Sequence, residues 1–257
     1  DTSVEKGKSL ELFKEVFLQG GKNLEKEVVK KWKMEAGETA IPVDVEGADL
    51  LYVALAGAHS IIPAAAIFNA AKENWTLSFF EAVNFGAFVG DPTKTKLILD
   101  RIINEALRLK VKEVCVCECG TAYRVMKQLS GTQPFDVVSI TEVHARYIRE
   151  GRIKLDKTEL DGAVTFHDPC QIVRRGGVLE QPRNLLKQIA SNFVEMNDHR
   201  EMNWCCGGGG GVSANERADE LRLKVFARKK SQLDELQVDT LVTACANCRL
   251  MLEDGLE

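Results

Sequence analysis

Apolar stretches alternate with amphipathic stretches along most of the chain. Runs rich in β-branched and other apolar residues, such as VKEVCVC, DVVSI and DTLVTAC, are typical of buried strands. The segments between them repeat apolar residues at helical spacing, and Asp91 with Pro92 has the residue types that begin a helix. This alternation predicts an α/β protein with mainly parallel strands. Helices are predicted over residues 62–72, 92–110, 121–129, 141–150, 182–193, 213–236 and 246–254.

One stretch has the length of a membrane span. Residues 50–71 carry no charged side chain over 22 positions. Gly57, Ser60 and Pro63 interrupt this stretch. We therefore interpret it as a buried strand over residues 50–56, a loop and then a helix, rather than as a span.

Residues 1–44 differ from the rest of the chain. Two groups of apolar residues at helical spacing, on either side of Gly20 and Gly21, predict a pair of helices. The segment is expected to be a helical connector, either packed on the body of the protein or joined to an upstream module.

The remaining residues read as two copies of one α/β unit, over residues 45–150 and 151–257. VKEVCVCECGTAYRVM and VDTLVTACANCRLML share the order of strand, cysteine, turn and helix, with Cys119 aligned to Cys245. The same alignment places NFG, residues 84–86, opposite CCG in the second copy. A repeated supersecondary unit is therefore expected.

Composition and charge narrow the class of protein. The chain has 257 residues, of which 45% are hydrophobic and 28% are charged, and its formal net charge is −4. These values exclude collagen-like, low-complexity and disordered classes, and they do not suggest nucleic acid as a partner.

Five of the eight cysteines form a spaced pattern in the second copy. Cys170 is followed after 34 residues by Cys205, Cys206 and Gly207, and after 37 more by Cys245, two residues and Cys248. Zinc and a cubane [4Fe–4S] cluster each take four ligands, so five cysteines leave one over. A vicinal pair suits a cluster of several irons, because adjacent thiolates can bind different metal atoms. The glycines at 207–211, and a helix expected to begin near Ser213, would place N–H groups and a positive helix end near these sulfurs.

The cysteine pattern resembles the CCG cysteine-rich domain family, which includes catalytic subunits of heterodisulfide reductases. HDPCQIVRRGGVLEQPRNLL resembles the family's segment around its first cysteine, notably at Asp168, Pro169, Arg174, Gly177, Pro182 and Arg183. NFGAFVGD and CECGTAYR in the first copy resemble the subgroup with a degenerate first unit. That subgroup includes the K subunit of the membrane complex linked to dissimilatory sulfite reduction and its paralogues, and the D subunit of heterodisulfide reductases. The resemblance implies two Rossmann-like CCG units.

The resemblance implies a non-cubane [4Fe–4S] cluster held by all five cysteines of the pattern. It further implies reduction of a disulfide, heterodisulfide or trisulfide, either small or carried on a small sulfur-carrier protein. The cluster site of the first copy is incomplete, since ligand positions hold Ala58, Asn84, Phe85 and Ala122. A single catalytic cluster is therefore expected.

The resemblance also bears on electron donors and location. Related subunits carry an upstream ferredoxin-like module, and its Cys-x2-Cys-x2-Cys-x3-Cys-Pro run does not occur in this sequence. A ferredoxin-like module or a haem membrane subunit is the expected electron donor. The expected location is the cytoplasm, at the inner face of the membrane, with partner subunits providing any membrane attachment.

Three residues outside the five-cysteine pattern are candidates for a catalytic role. Cys119 is predicted to face the site as a substrate-facing thiol, an extra ligand or a relic of the repeat. His167 is a candidate proton donor or a residue that orients the Cys170 loop, and His59 is a candidate cleft residue.

Other polar and sulfur residues have structural or surface alternatives. Arg124, Arg174 and Arg175 are predicted either to bind an anion or screen cluster charge, or to be solvated. Cys115 and Cys117 are predicted to be buried strand cysteines.

Two other functions stay open at this stage. The first is a structural or docking subunit stabilised by zinc. The second is an electron-relay subunit of a flavin-linked 2-hydroxy acid oxidase. Metal identity distinguishes the first from a disulfide reductase, and the neighbouring genes distinguish the second.

Overall fold

A computed structural model describes residues 39–53, 58–77, 84–117, 119–155, 160–213 and 215–256. The helices predicted within residues 1–36 lie outside these ranges. The side chains of Ala58, His59 and Phe85 also lie outside the described part.

The first half of the described chain alternates strands with helices. Its elements are β1 (Leu50–Val53), α1 (Ala58–Ala70), β2 (Trp75–Leu77), α2 (Phe85–Val89), α3 (Pro92–Leu109), β3 (Glu113–Val116), α4 (Gly120–Leu129), β4 (Asp136–Ser139) and α5 (Ile140–Arg149).

The second half continues the alternation. Its elements are β5 (Leu160–His167), α6 (Gln181–Ile189), β6 (Ala190–Phe193), α7 (Gly210–Ser213), α8 (Asp219–Leu236), β7 (Thr240–Thr243) and α9 (Ala246–Leu256), with short 3₁₀ helices at Arg200–Met202 and Glu216–Ala218.

The strands form two sheets whose pairs are all parallel. One sheet has the order β2-β1-β3-β4 and the other β6-β5-β7. Leu51 pairs with Val114 in the first sheet, and Phe166 pairs with Val242 in the second. The predicted α/β class with mainly parallel strands is confirmed.

The two halves share an order of elements. In the first half β1 lies between β2 and β3, and in the second half β5 lies between β6 and β7. The next element after β3 is helix α4, and the next element after β7 is helix α9. Both halves also place a short helix and then an 18-residue helix, α3 or α8, before that strand. Each 18-residue helix ends at a residue with positive φ, Lys110 at 55° and Gln237 at 49°.

Both faces of the first sheet are buried, as expected for a parallel sheet covered by helices. Leu51 and Val53 of β1 pack in one apolar cluster, with residues of α3 and α4. Leu50 and Tyr52 pack in the other, against α1 and α5. The carboxyl ends of β3 and β7 lead to Cys119 and Cys245, so strand direction delivers both residues to the end of a sheet.

Some predicted helix bounds are wrong, and packing explains them. Residues 190–193 were expected to extend a helix but form β6, because they pair with β5 and the Val194 N–H donates to the Val164 carbonyl at 2.8 Å. The long helix begins at Asp219 instead of Ser213, after the separate turns of α7 and the 3₁₀ helix. Helix α1 begins at Ala58, so Pro63 lies inside it and not at its start. Strand β2 was missed because it has only three residues.

Candidate metal centre

A cavity of about 790 Å³ is lined by residues from both halves of the chain. Helices α2 and α4 contribute on one side, and the Cys170 loop, the glycine run and the start of α9 contribute on the other. All eight cysteines are described and are free thiols. Six of them line the cavity: Cys119, Cys170, Cys205, Cys206, Cys245 and Cys248.

The five cysteines of the sequence pattern all line this one cavity. Neighbouring thiols shift one another's pKa values in a series that runs from Cys170 to Cys205, Cys206, Cys248 and Cys245. Three separate segments supply these sulfurs, which are the loop after β5, the turn before the glycine run, and the turn from β7 into α9. The fold therefore brings together residues that are up to 78 positions apart, from 170 to 248.

Backbone N–H groups point at several of the sulfurs. Gly207 N donates to Cys205 Sγ and Gly208 N to Cys206 Sγ, both at 3.3 Å. The contacts with the Cys170 and Cys206 thiols, together with the Gly207 N–H, hold the pKa of Cys205 well below its usual range. Such an environment favours the thiolate form, which is the form that binds metals.

Cys245 is a second thiolate, and one of its donors comes from the other half of the chain. The Cys248 thiol, followed by the backbone N–H groups of Cys248, Gly120 and Asn247, lowers the pKa of Cys245 to about 6. Gly120 is the first residue of α4, so the first half of the chain contributes a hydrogen bond to a cysteine of the second half.

The glycines after the vicinal pair are required by close backbone approach. Gly207 has φ +86°, and a Cβ there would lie 2.7 Å from the Arg222 carbonyl oxygen. A Cβ at Gly208 would lie 2.3 Å from the carbonyl oxygen of Asn247, the residue before Cys248. A larger residue at Gly208 would push apart the segments that carry Cys206 and Cys248, and one at Gly207 would push against the backbone of α8.

A buried ion pair fixes the loop that leads to Cys170. Asp168 accepts hydrogen bonds from the Arg183 guanidinium and, at 2.7 Å, from the Arg200 backbone N–H. Asn203 donates to the Asp168 carbonyl at 2.6 Å. Because Asn203 lies two residues before Cys205, these bonds link the Cys170 loop to the vicinal pair.

Lys229 is a buried cation near the site that the sequence interpretation missed. Its ammonium donates to Asn203 Oδ1 at 3.1 Å and to Gln232 Oε1 at 2.9 Å, and its side chain has no solvent exposure. Burial lowers its pKa to about 8. The available signal was its position on the apolar stripe of α8, three residues after Phe226 and four before Leu233.

His167 lies against the sulfurs but does not line the cavity. A ring nitrogen of His167 and the sulfurs of Cys206 and Cys248 are all within 4.8 Å of one another. Its Nδ1 is buried and has no hydrogen-bond partner in the described residues. Burial lowers its pKa to about 3, so the ring is neutral near pH 7. This position favours a structural or ligand role over direct proton donation, and its role stays a prediction.

Cys119 lines the cavity as the N-cap of α4, where its sulfur accepts from Ala122 N at 3.4 Å. Burial raises its pKa to about 12, so it is a neutral thiol beside the Cys245 thiolate. His59 is the second residue of α1, and its side chain lies outside the described part. The catalytic roles expected for both residues stay predictions.

The three arginine candidates have different positions. Arg124 and Arg175 line the cavity. Arg174 does not, because its guanidinium donates to the backbone carbonyls of Glu201 and Asn203. These bonds explain the position of Arg174 by the loop that it holds, and an anion-binding role for it stays a prediction.

The remaining cysteines and histidines lie outside the cavity lining. Cys115 is fully buried in the apolar cluster of α1 and α5, and Cys117 packs partly against the same cluster. His144 is on α5, and His199 Nδ1 lies 2.6 Å from the Met196 carbonyl oxygen. Among the described helices, none combines the length and apolar character that crossing a bilayer requires.

Comparison with known proteins gives relatives that are named as subunits of reductases or oxidoreductases. The chain is 38% identical over 157 residues to the D subunit of dihydromethanophenazine:CoB–CoM heterodisulfide reductase of Methanosarcina acetivorans, a match covering 59% of this chain and 38% of that protein. It is 27% identical over 271 residues to Hdr-like menaquinol oxidoreductase iron–sulfur subunit 2 of Archaeoglobus fulgidus, covering 84% and 48%. It is 32% identical over 146 residues to a subunit of fumarate reductase (CoM/CoB) of Methanothermobacter marburgensis, covering 56% and 28%.

The chain thus spans less than half the length of each of these relatives. Its second half, residues 164–253, matches the family described as CCG, cysteine-rich domain. That range contains all five cysteines of the spaced pattern. The family resemblance seen in the sequence is confirmed by this match over residues 164–253 and by the names of the relatives.

Proposed function

We propose that this chain is a subunit of an iron–sulfur oxidoreductase and that Cys170, Cys205, Cys206, Cys245 and Cys248 bind a non-cubane [4Fe–4S] cluster. The observation that carries the proposal is the convergence of five cysteines, from three segments of the chain, on one cavity. An all-sulfur donor set is the set that iron–sulfur clusters use.

The surroundings of the sulfurs fit a cluster with several thiolates. Two of the cysteines already have lowered pKa values, and backbone N–H groups donate to three sulfurs. Lys229 adds a buried positive charge behind them. Hydrogen bonds and nearby charge of this kind stabilise and tune clusters.

The proposed reaction is reduction of a disulfide-type substrate in the cavity. Two electrons and two protons convert one disulfide into two thiols, so the S–S bond breaks and two S–H bonds form. When bound, the cluster would supply the electrons one at a time. The chain's own residues enclose the substrate, and Cys119 would present a neutral thiol beside it. The names of the relatives support this substrate class, since two include heterodisulfide reductase or the CoM/CoB pair.

Partner subunits complete the proposal. A ferredoxin-like module or a haem membrane subunit would deliver the electrons, and any contact with a membrane would be through partners. The menaquinol oxidoreductase name of one relative supports a donor in a respiratory chain. Disulfide substrates of the proposed kind include small thiol conjugates and the arm of a sulfur-carrier protein.

The test is a count of iron, acid-labile sulfide and zinc in protein purified without oxygen. We expect about four irons and four sulfides per chain. Cys205→Ser should lose the cluster's spectroscopic signal and the disulfide reductase activity while the fold survives. Cys117→Ser is the matched control, because Cys117 lies outside the cavity lining. Full reductase activity in Cys205→Ser would overturn the proposal.

A zinc-stabilised structural subunit is a second candidate, and one observation favours it. His167, Cys206 and Cys248 offer three ligand atoms within 4.8 Å of one another, which is compatible with a mononuclear site. About one zinc without sulfide in the same measurement would support this candidate. A relay role in a flavin-linked oxidase would instead give the iron and sulfide but no disulfide reductase activity.

A further inference from the structure

A group of polar side chains occupies one face of the second sheet. Val164 and Phe166 of β5 pack in an apolar cluster on the opposite face of this sheet. Thr165 and His167 alternate with them along the strand and therefore point the other way. Thr243 of β7 is the register partner of His167, and paired residues of parallel strands point to the same side. Thr165, His167 and Thr243 thus share a face.

This polar face is directed toward two of the proposed ligands. Leu241, the register partner of Thr165, packs partly against the apolar cluster that contains Cys206 and Cys248. A ring nitrogen of His167 lies within 4.8 Å of the sulfurs of those two cysteines. His167 is not among the residues that line the cavity. It therefore approaches the sulfurs from the side of the sheet.

Each of the three polar side chains has a buried atom without a partner. Thr165 Oγ1, His167 Nδ1 and Thr243 Oγ1 form no hydrogen bond within the described residues. Burying an unpaired polar group is costly, and one buried water typically bonds to about three such groups. Three such atoms at neighbouring positions of one face indicate a shared buried water, since a single molecule would satisfy all of them.

We propose that His167 donates an N–H hydrogen bond to the sulfur of Cys206 or Cys248 and thereby tunes the bound cluster. The other ring nitrogen bonds to a buried water, which the hydroxyl groups of Thr165 and Thr243 hold in place. This role rests on the proposed function, because these sulfurs are the ones that would bind the cluster. An imidazole carries at least one N–H whether it is neutral or protonated, so the donation does not depend on the charge of the ring. Hydrogen bonds to ligating groups are a general means of tuning metal sites.

A spectroscopic measurement on the cluster-loaded chain tests the hydrogen bond directly. With histidine labelled by nitrogen-15, pulsed electron paramagnetic resonance of the reduced protein should detect a weak nitrogen coupling. His167→Met should remove this coupling. His144→Gln, which changes a histidine on α5 of the first half, should retain it. A coupling as strong as that of a nitrogen bonded to iron would overturn the role, because His167 would then be a ligand.

The reduction potential provides a second measurement. A donor to a ligating sulfur stabilises the reduced and more negative form of the cluster. His167→Met should therefore lower the midpoint potential by about 59 mV, which corresponds to a 10-fold change in a one-electron equilibrium. His167→Gln keeps an N–H donor and should recover part of that shift. An unchanged potential in His167→Met, with iron and sulfide contents intact, would overturn the donated hydrogen bond.

The two threonines test the water site through stability. Valine has nearly the shape of threonine but no hydroxyl group. If the hydroxyl groups bond to a buried water, Thr165→Val and Thr243→Val should each lower the midpoint of urea unfolding. Hydroxyl groups without a partner would give no change or a higher midpoint. Thr240→Val is the matched control, because Thr240 pairs with Val164 and so lies on the opposite face of the same sheet.

Metal analysis of the same preparations separates this inference from the proposed function. Absence of iron from the unaltered chain would overturn the proposed function. Intact iron and sulfide without the nitrogen coupling would overturn the role of His167 alone. Thr165→Val and Thr243→Val variants that unfold like Thr240→Val would overturn the water site.

Discussion

The carboxylate of Asp168 and the guanidinium of Arg183 form a doubly hydrogen-bonded ion pair, with N···O distances of 2.8 and 2.7 Å. The side chains are 1% and 0% exposed, so this ion pair is almost completely buried. Arg183 also bonds to Glu195 at 2.6 Å. The pair joins α6 to Asp168, which lies two residues before Cys170. It therefore helps to fix the position of Cys170, one of the proposed ligands.

Replacing Arg183 should be strongly destabilising. Arg183→Leu leaves the Asp168 carboxylate buried without its cation, and removal of one partner of a buried pair costs about 3–5 kcal/mol. Urea unfolding should show a free energy of unfolding lower by that amount.

The exposed ion pair nearby provides the control. Arg200 bonds to Glu180 at 2.5 Å, and Arg200→Leu should cost less than about 1 kcal/mol because both side chains remain solvated. Similar losses in the two variants would contradict a special contribution from the buried pair.

The glycine run offers a test at neighbouring positions. Gly208→Ala would place a Cβ 2.3 Å from the Asn247 carbonyl oxygen, so we expect lower stability and a reduced iron content in the purified chain. Gly209→Ala would meet only the Val212 Cγ2 atom, at 3.4 Å, and should resemble the unaltered chain. Equal iron and stability in the two variants would show that the approach of these two segments is not needed for the site.

Lys229 should set the reduction potential of a bound cluster. Lys229→Met removes a buried positive charge, which would otherwise stabilise the reduced and more negative form. At an effective dielectric constant of about 20, such a charge contributes about 1–2 kcal/mol, or roughly 40–90 mV for one electron. A redox titration followed by electron paramagnetic resonance should show a lower midpoint potential. Lys230→Met, which changes the adjacent and more exposed lysine, should leave the potential unchanged.

His144 should make the fold sensitive to mild acid. Burial lowers its pKa from 6.5 to about 4, and its Nε2 has no partner among the described residues. As the pH falls from about 6.5 towards 4, the unfolded chain takes up a proton that the folded chain does not, so stability decreases. Denaturation at about pH 7 and about pH 4.5 should show a decrease that is smaller in His144→Gln, by about 2 kcal/mol. Identical pH dependence in the two proteins would contradict this assignment.

The five-cysteine pattern could be recognised from the sequence because it depends only on the type of residue and on the spacing between the cysteines. Strands such as β3 were also predictable, since their apolar runs reflect burial on both faces of a sheet. Strand β6 was not, because ASNF has no strand pattern of its own and depends on pairing with β5.

Long-range polar contacts could not be predicted from the sequence, for a different reason. Lys229 and Asn203 are 26 positions apart, and an isolated lysine on a helix is usually solvated. The donor from Gly120 to Cys245 links the two halves, which spacing within either half does not reveal. The orientations of Arg124 and Arg174 also differ only because of the particular carbonyls and side chains around each one.

The placement of Arg124 on the half that does not carry the five-cysteine pattern has an evolutionary consequence. The second half supplies the five cysteines of the pattern, while helices α2 and α4 of the first half supply another wall of the same cavity. Substitutions in that wall would alter which molecules enter while the surroundings of the five sulfurs stay constant. A two-part cavity of this kind separates selectivity from reactivity, so related chains can diversify in substrate by changing α4 and retaining the cysteines.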